Sequence, residues 1–152
     1  MPKTLLLVPH IPQENDGDCL AACAAMVLQY LQQPLSYPQI RQLLRVKPYG
    51  APAGNIRYLT QLGLVVIYSQ TDMPGLQDWL DQGHPIMAFV RTGDLPYWDY
   101  STDHAVLVVG YDDEAVFLND PSEKKAPTVV DKGDFELAWL ERDYAYAVVT
   151  RV

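Results

Sequence analysis

With 152 residues, 49% of them hydrophobic and 20% charged, the chain has the size and composition of one soluble globular domain, 1–152, with core enough to fold without disulfide or metal staples. A formal net charge of −8 excludes nucleic acid and anionic membrane as natural partners, because neither is attracted to such a surface. The same charge serves solubility and would also suit a cationic peptide.

The opening M-P-K-T-L-L-L-V-P-H-I-P carries an apolar run too short for a membrane span or a signal-peptide core, and Pro9 and Pro12 interrupt it. It predicts a short edge strand over Thr4–Val8. Cys19 and Cys23, four positions apart on one predicted helix, are poorly placed for a mutual disulfide and read as free thiols of a reducing compartment. A cytoplasmic protein is the expectation. A polar, turn-rich stretch then gives way to Ala, Leu, Met and Gln, which predicts a helix from about Asp18 to Gln32, with Asp16 or Asp18 as its N-cap. Ser36 caps a second helix whose stripe is Ile40, Leu43 and Leu44. After the loop Y-G-A-P-A-G at Tyr49–Gly54, a third helix is predicted over Asn55–Leu62 and a buried strand over Leu64–Tyr68. Asp72–Gln82 reads as a helix ended by Gly83, and Ile86–Val90 as a strand.

A longer aromatic loop, Thr92–Thr102, precedes a β-rich last third. Its predicted strands are Ala105–Tyr111, Ala115–Leu118, Thr128–Asp131 and Tyr144–Val149, with a short helix near Phe135–Leu140. Helices first and an antiparallel sheet later is the α+β pattern.

Chemistry concentrates around Cys19. A helix start places its thiol among free backbone N–H groups at the positive end of the macrodipole, which favours a thiolate. An inert buried cysteine is the alternative, and a capping carboxylate on Asp18 would oppose ionisation. Of three histidines, His10 reads as a solvated loop residue and His84 as part of a helix-to-strand turn. His104 stands at the mouth of the strand A-V-L-V-V-G-Y, as a satisfied strand end or a site residue. If the turn Asp112-Asp113-Glu114 has three residues, Tyr111 pairs with Ala115, His104 falls opposite Ser122, and Asp120 becomes its diagonal neighbour, roughly 7–8 Å away. A two-residue turn would flip the parity and put Asn119 on that face instead. Asp120 is the favoured partner. Gln13, six residues before Cys19, is a candidate oxyanion donor. The loop residues Tyr97 and Trp98 are candidates to line a substrate groove.

The strings Q-E-N-D-G-D-C-L-A-A-C, D-H-A-V-L-V-V-G-Y-D and F-L-N-D-P, in this order, resemble the C39 and C39-like cysteine peptidases of bacteria. The resemblance implies a papain-like fold, N-terminal helices packed on a C-terminal antiparallel sheet. It implies a thiol hydrolase acting on a peptide or protein substrate without cofactor or metal. Cys19 would be the nucleophile, His104 the base and acid, Asp120 the orienting carboxylate and Gln13 the oxyanion donor. Leu20 departs from the glycine that follows the nucleophile in the exporter-linked members, so the stand-alone C39-like group fits better than the leader-cleaving one. A catalytically inactive peptide-binding module on the same fold is the alternative. A Cys-x3-Cys pair is not a usual zinc spacing.

Overall fold

Alternating apolar residues drive the strands into one sheet buried on both faces. The structure is a computed structural model and describes residues 2–152. Its strands are β1 (Thr4–Leu5), β2 (Val65–Gln70), β3 (Ile86–Arg91), β4 (Asp103–Tyr111), β5 (Ala115–Asn119), β6 (Thr128–Asp131) and β7 (Ala145–Thr150). All pairs are antiparallel, in the order β2-β7-β3-β4-β5-β6. β1 continues the β3 side of β4, pairing Thr4 with Tyr111 and Leu5 with Gly110. The approach is close: a Cβ on Gly110 would lie 2.4 Å from the Thr4 carbonyl oxygen.

The period-2 pattern sorts the sheet residues between two cores. Met87, Phe89, Ala105, Leu107 and Val149 face α1 (Cys19–Tyr30), α2 (Tyr37–Leu43) and a 3-10 helix, Ala53–Leu62. Ile86, Ala88, Val106, Val108 and Val148 face α3 (Met73–Asp81) and α4 (Lys132–Leu140). Helix α1 is enclosed, with every residue from Leu20 to Leu28 buried. Its four alanines let neighbouring elements approach, while Leu20, Leu28 and Met26 fill the space between; each such side chain contributes ~2 kcal/mol by leaving water. Ser36 caps α2 through a capping box with Gln39.

The layering is α+β, as expected, with two refinements. The sheet recruits β1, β2 and β3 from the first two-thirds of the chain, and helices cover both faces. Several predicted elements also change. The first strand shrinks to Thr4–Leu5, because a Val8 N–H to Leu6 carbonyl bond turns the chain before Pro9. The expected third helix is 3-10, spans Ala53–Leu62, and has the Thr60 hydroxyl donating to the Arg57 carbonyl three residues back. The strand expected to be buried, now Val65–Gln70, is an edge strand with partly exposed residues.

The β4–β5 hairpin corrects the expected turn. Tyr111 pairs with Val116, not Ala115, and the Asp112 N–H bonds the Ala115 carbonyl, which is the register of a two-residue turn. A β-bulge between Val108 and Gly110 then shifts the pairing, so that Leu107 faces Asn119. The bulge restores the parity that the shorter turn would have lost.

Candidate active site

Cys19 is the first residue of α1 and is partly exposed. It opens on a cleft of about 890 Å³ whose walls include Gln13, Leu20, Tyr97, Trp98 and His104. Burial pushes the thiol up. Against this act a hydrogen bond and the charge of His104, then the backbone N–H groups of Ala105 and Leu20, and the net effect holds Cys19 below the ordinary thiol value. Cys23, one turn further on and fully buried, is pushed well above it by desolvation.

His104, 5% exposed, opens β4 and pairs with Val90 of β3. Its Nε2 lies 2.7 Å from Asp120 Oδ1, which leaves Nδ1 for Cys19. Desolvation lowers its affinity for a proton, but Asp120 and Cys19 more than offset this and raise the imidazole to about 9. The contact between the two thus favours the charged form of each, an imidazolium beside a thiolate.

Asp120 follows β5 and is fully buried. Five hydrogen bonds reach its carboxylate. Oδ1 accepts from His104, the Ser122 N–H at 2.9 Å and the Ser122 hydroxyl at 2.8 Å. Oδ2 accepts from the Tyr97 hydroxyl at 2.5 Å and Trp98 Nε1 at 3.1 Å. Desolvation alone would raise this carboxyl, yet these donors and the imidazolium hold it far below the usual carboxylate range. Asn119 points the other way, its amide donating to the Val8 carbonyl beneath α1.

Gln13 lines the same cleft, but its Nε2 donates to the carbonyls of Asn15 at 3.0 Å and Asp16 at 3.2 Å. In this conformation the amide braces its own loop. The Gln13 N–H bonds the Pro121 carbonyl at 2.8 Å, which ties that loop to the segment carrying Asp120. His10 is not a solvated loop residue: half-buried, its Nε2 lies 2.6 Å from the Glu123 carbonyl and adds to the same seam.

Asp18 occupies the N-cap position without capping through its side chain. Its buried carboxylate accepts from Arg41 Nε at 3.1 Å, the Tyr37 hydroxyl at 3.2 Å and Asn15 Nδ2 at 3.0 Å. The charge expected to oppose the thiolate is thus neutralised by Arg41. Nothing in the local sequence marks Arg41 or Tyr37 for this task. The local sequence likewise does not mark Tyr97 and Trp98 as donors to Asp120, whereas the bond from the Ser122 N–H is the ordinary turn an aspartate makes with the backbone two residues on.

No helix among the described residues is long and apolar enough to cross a membrane. The chain is similar to several known proteins. A Leuconostoc mesenteroides protein, the mesentericin-Y105 transport/processing ATP-binding protein MesD, is 26% identical over 134 residues, 87% of this chain. The chain spans 18% of that relative's length. A C39-like peptidase from Bacillus anthracis superposes with a TM-score of 0.80 at 16% identity, covering 99% of this chain and 98% of that one. The peptidase domain of Streptococcus ComA, a bi-functional ABC transporter involved in quorum sensing, gives 0.77 at 22% identity, covering 94% and 98%. A double glycine motif protease from an AMS/PCAT transporter, solved with its leader peptide, gives 0.78 at 19%, covering 99% and 96%. These likenesses establish the fold. The sequence profile of the peptidase C39 family matches residues 8–145, a span that takes in Gln13, Cys19, His104 and Asp120, and on that match the chain belongs to the peptidase C39 family.

Proposed function

We propose that the chain is a thiol-dependent peptidase in which Cys19, His104 and Asp120 form the catalytic triad. The observation that carries this reading is the position of His104, bonded through Nε2 to Asp120 and interacting with Cys19. The thiolate of Cys19 attacks the scissile carbonyl carbon, and the carbonyl π electrons move onto oxygen. The Cys19 N–H, which has no intrahelical acceptor at the helix start, donates to that oxyanion. Gln13 joins it once substrate draws its amide from the loop carbonyls. The intermediate collapses as His104 gives its proton to the leaving amine, which leaves a thioester on Cys19. His104 then takes a proton from water, whose oxygen attacks the thioester, and the carboxylic acid departs as the thiolate–imidazolium pair re-forms. The substrate is a peptide or protein segment lying in the cleft, as a leader peptide accompanies the transporter protease named above.

A second reading, a peptide-binding module without turnover, draws on Gln13, whose amide is committed to its own loop. Incubation with a diverse peptide library followed by mass spectrometry separates the two. The peptidase reading expects new cleavage products from wild type and none from Cys19→Ala. Unchanged peptides with both proteins, together with Cys19 alkylation no faster than free cysteine, would sink it.

A further inference from the structure

Arg41 is spent on Asp18, and Arg91 donates to Asp103 at 3.0 Å and to the Ser101 hydroxyl at 3.2 Å. Arg142 has no such partner. It lines the cleft with its side chain 24% exposed, and its one ion-pair contact among the described residues is Asp103 Oδ1, 3.9 Å from Nε and beyond hydrogen-bond reach. That oxygen already accepts from Arg91 and Asp103 is exposed, so the contact contributes little. The guanidinium carbon sits 5.7 Å from the centre of the Phe89 ring, which helps to orient the planar group. The backbone that carries it is fixed. The Arg142 N–H donates to the Trp139 carbonyl at 3.0 Å, and its own carbonyl accepts from the Ala145 N–H at 3.1 Å. Between them Asp143 and Tyr144 adopt φ values of 58° and 56°, a conformation unfavourable for residues with a Cβ. The Tyr144 N–H on the Trp139 carbonyl and Trp139 Nε1 on the Ala145 carbonyl hold that turn. Strand register brings the arginine near the chemistry. Ala105, whose N–H faces the Cys19 thiol, pairs with Phe89 on the neighbouring strand, about 5 Å away, and Arg142 lies over that ring.

We propose that Arg142 is a specificity-determining residue that binds a carboxylate of the substrate within about three residues of the scissile bond. The inference rests on the peptidase reading, because it assigns one subsite of that cleft. A guanidinium presents its N–H donors as a fork matched to a carboxylate, and such charge-assisted bonds are strong. Partial burial against Phe89 limits screening by solvent. The chain's net charge of −8, with Glu14, Asp16, Asp99 and Glu123 along the same cleft, repels anions in general. Arg142 therefore selects a carboxylate by contact at one position and does not draw acidic peptides to the whole cleft.

The test is cleavage of a randomised peptide pool, prepared with free and with amidated C-termini, with the products sequenced by mass spectrometry. Wild type is expected to enrich Asp and Glu at one fixed position near the bond cut. Cleavage that survives amidation assigns the carboxylate to a side chain, and cleavage confined to free C-termini assigns it to the chain end. For a selected peptide and its partner with Gln (or the amide) at that position, kcat/KM should differ about tenfold or more. Arg142→Met, which keeps an apolar stem over Phe89, should bring this ratio close to one, and Arg142→Glu should favour Lys at the same position. If the methionine variant does not fold, Arg142→Gln replaces it. Equal cleavage of the paired peptides by wild type, or an undiminished ratio in Arg142→Met or Arg142→Gln, overturns the proposal and leaves the peptidase reading in place. A wild type that cuts no peptide in either pool removes both.

Discussion

Replacing Cys19 with serine should make stability fall more steeply than in the wild type as pH rises above about 6.5. In the folded protein His104 keeps its proton up to about 9 instead of 6.5. A raised value means the contribution to stability is complete below the unfolded value and disappears as pH climbs through the folded one. A lift of this size is worth at most about 3 kcal/mol. Cys19 supplies part of it, so about 2 kcal/mol is expected in Cys19→Ser. In the wild type the thiol works in the opposite sense. Its folded value is lowered, so its contribution is present above the ordinary thiol value and is lost as pH falls through the folded one. The two contributions run against each other across this window, so the wild-type stability curve is shallower than that of the variant. Urea unfolding at about pH 6, 7, 8 and 9 reads the difference directly. Cys19→Ser should lose about 2 kcal/mol across that range, and Cys19→Ser/Asp120→Asn should lose little, because Asp120 provides the leading raising contribution. A flat curve in Cys19→Ser, or an undiminished slope in the double variant, refutes the charge assignment.

Other perturbations probe the scaffold around the thiol. Gly17→Ala would place a Cβ 2.5 Å from the Pro48 carbonyl oxygen and 2.7 Å from the Gly50 nitrogen, so it should cost about 1–3 kcal/mol in thermal unfolding and slow Cys19 alkylation as the preceding loop shifts. Arg41→Ala leaves the fully buried Asp18 carboxylate without its cation; partial exposure of Arg41 moderates the loss to about 2–3 kcal/mol, and Arg41→Met/Asp18→Asn should be less destabilised than the sum of the single changes. Asp120→Ala strands several donors and is expected to reduce both the melting temperature and the neutral-pH alkylation rate about tenfold or more, the latter through loss of the imidazolium. A variant that kept its alkylation rate would dissociate Asp120 from the reactivity of Cys19.

Elements set by local signals were legible in the sequence. Ser36 announces α2, Asp72 announces α3, and the Ala-rich run after Cys19 can hardly be anything but an enclosed helix. The helix start at Cys19 and the strand mouth at His104 followed from the same signals, which is why those two residues could be named. Less visible was everything decided by tertiary packing. The N-cap propensity of Asp18 is real, but an arginine 23 residues away competes for the carboxylate and wins. His10, flanked closely by prolines, looks solvated until Glu123 is folded against it. Tyr97 and Trp98 carry the pattern of an adaptable surface loop, and only the fold reveals that a buried carboxylate needs their donors.

The pairing of His104 with Asp120 arises through a different turn from the one the sequence predicts. A three-residue turn was expected to bring the two onto one face, whereas the hairpin closes with the tighter register that by itself would present Asn119. The extra residue sits instead within β4, at the bulge near Val109, where Val109 and Gly110 both lie toward the α1 side and Tyr111 toward the other. Next to it Gly110 pairs with Leu5 of β1, and a Cβ there would meet the β1 backbone and the Phe117 ring. The parity of the site is therefore set jointly by the two-residue turn and the bulge, and the bulge lies where the close pairing of β1 requires glycine at position 110. A substitution at Gly110 should consequently disturb Cys19 reactivity from the far end of β4, with Gly110→Ala slowing alkylation and lowering stability together, while changes in the turn that keep its length should affect neither by more than about twofold.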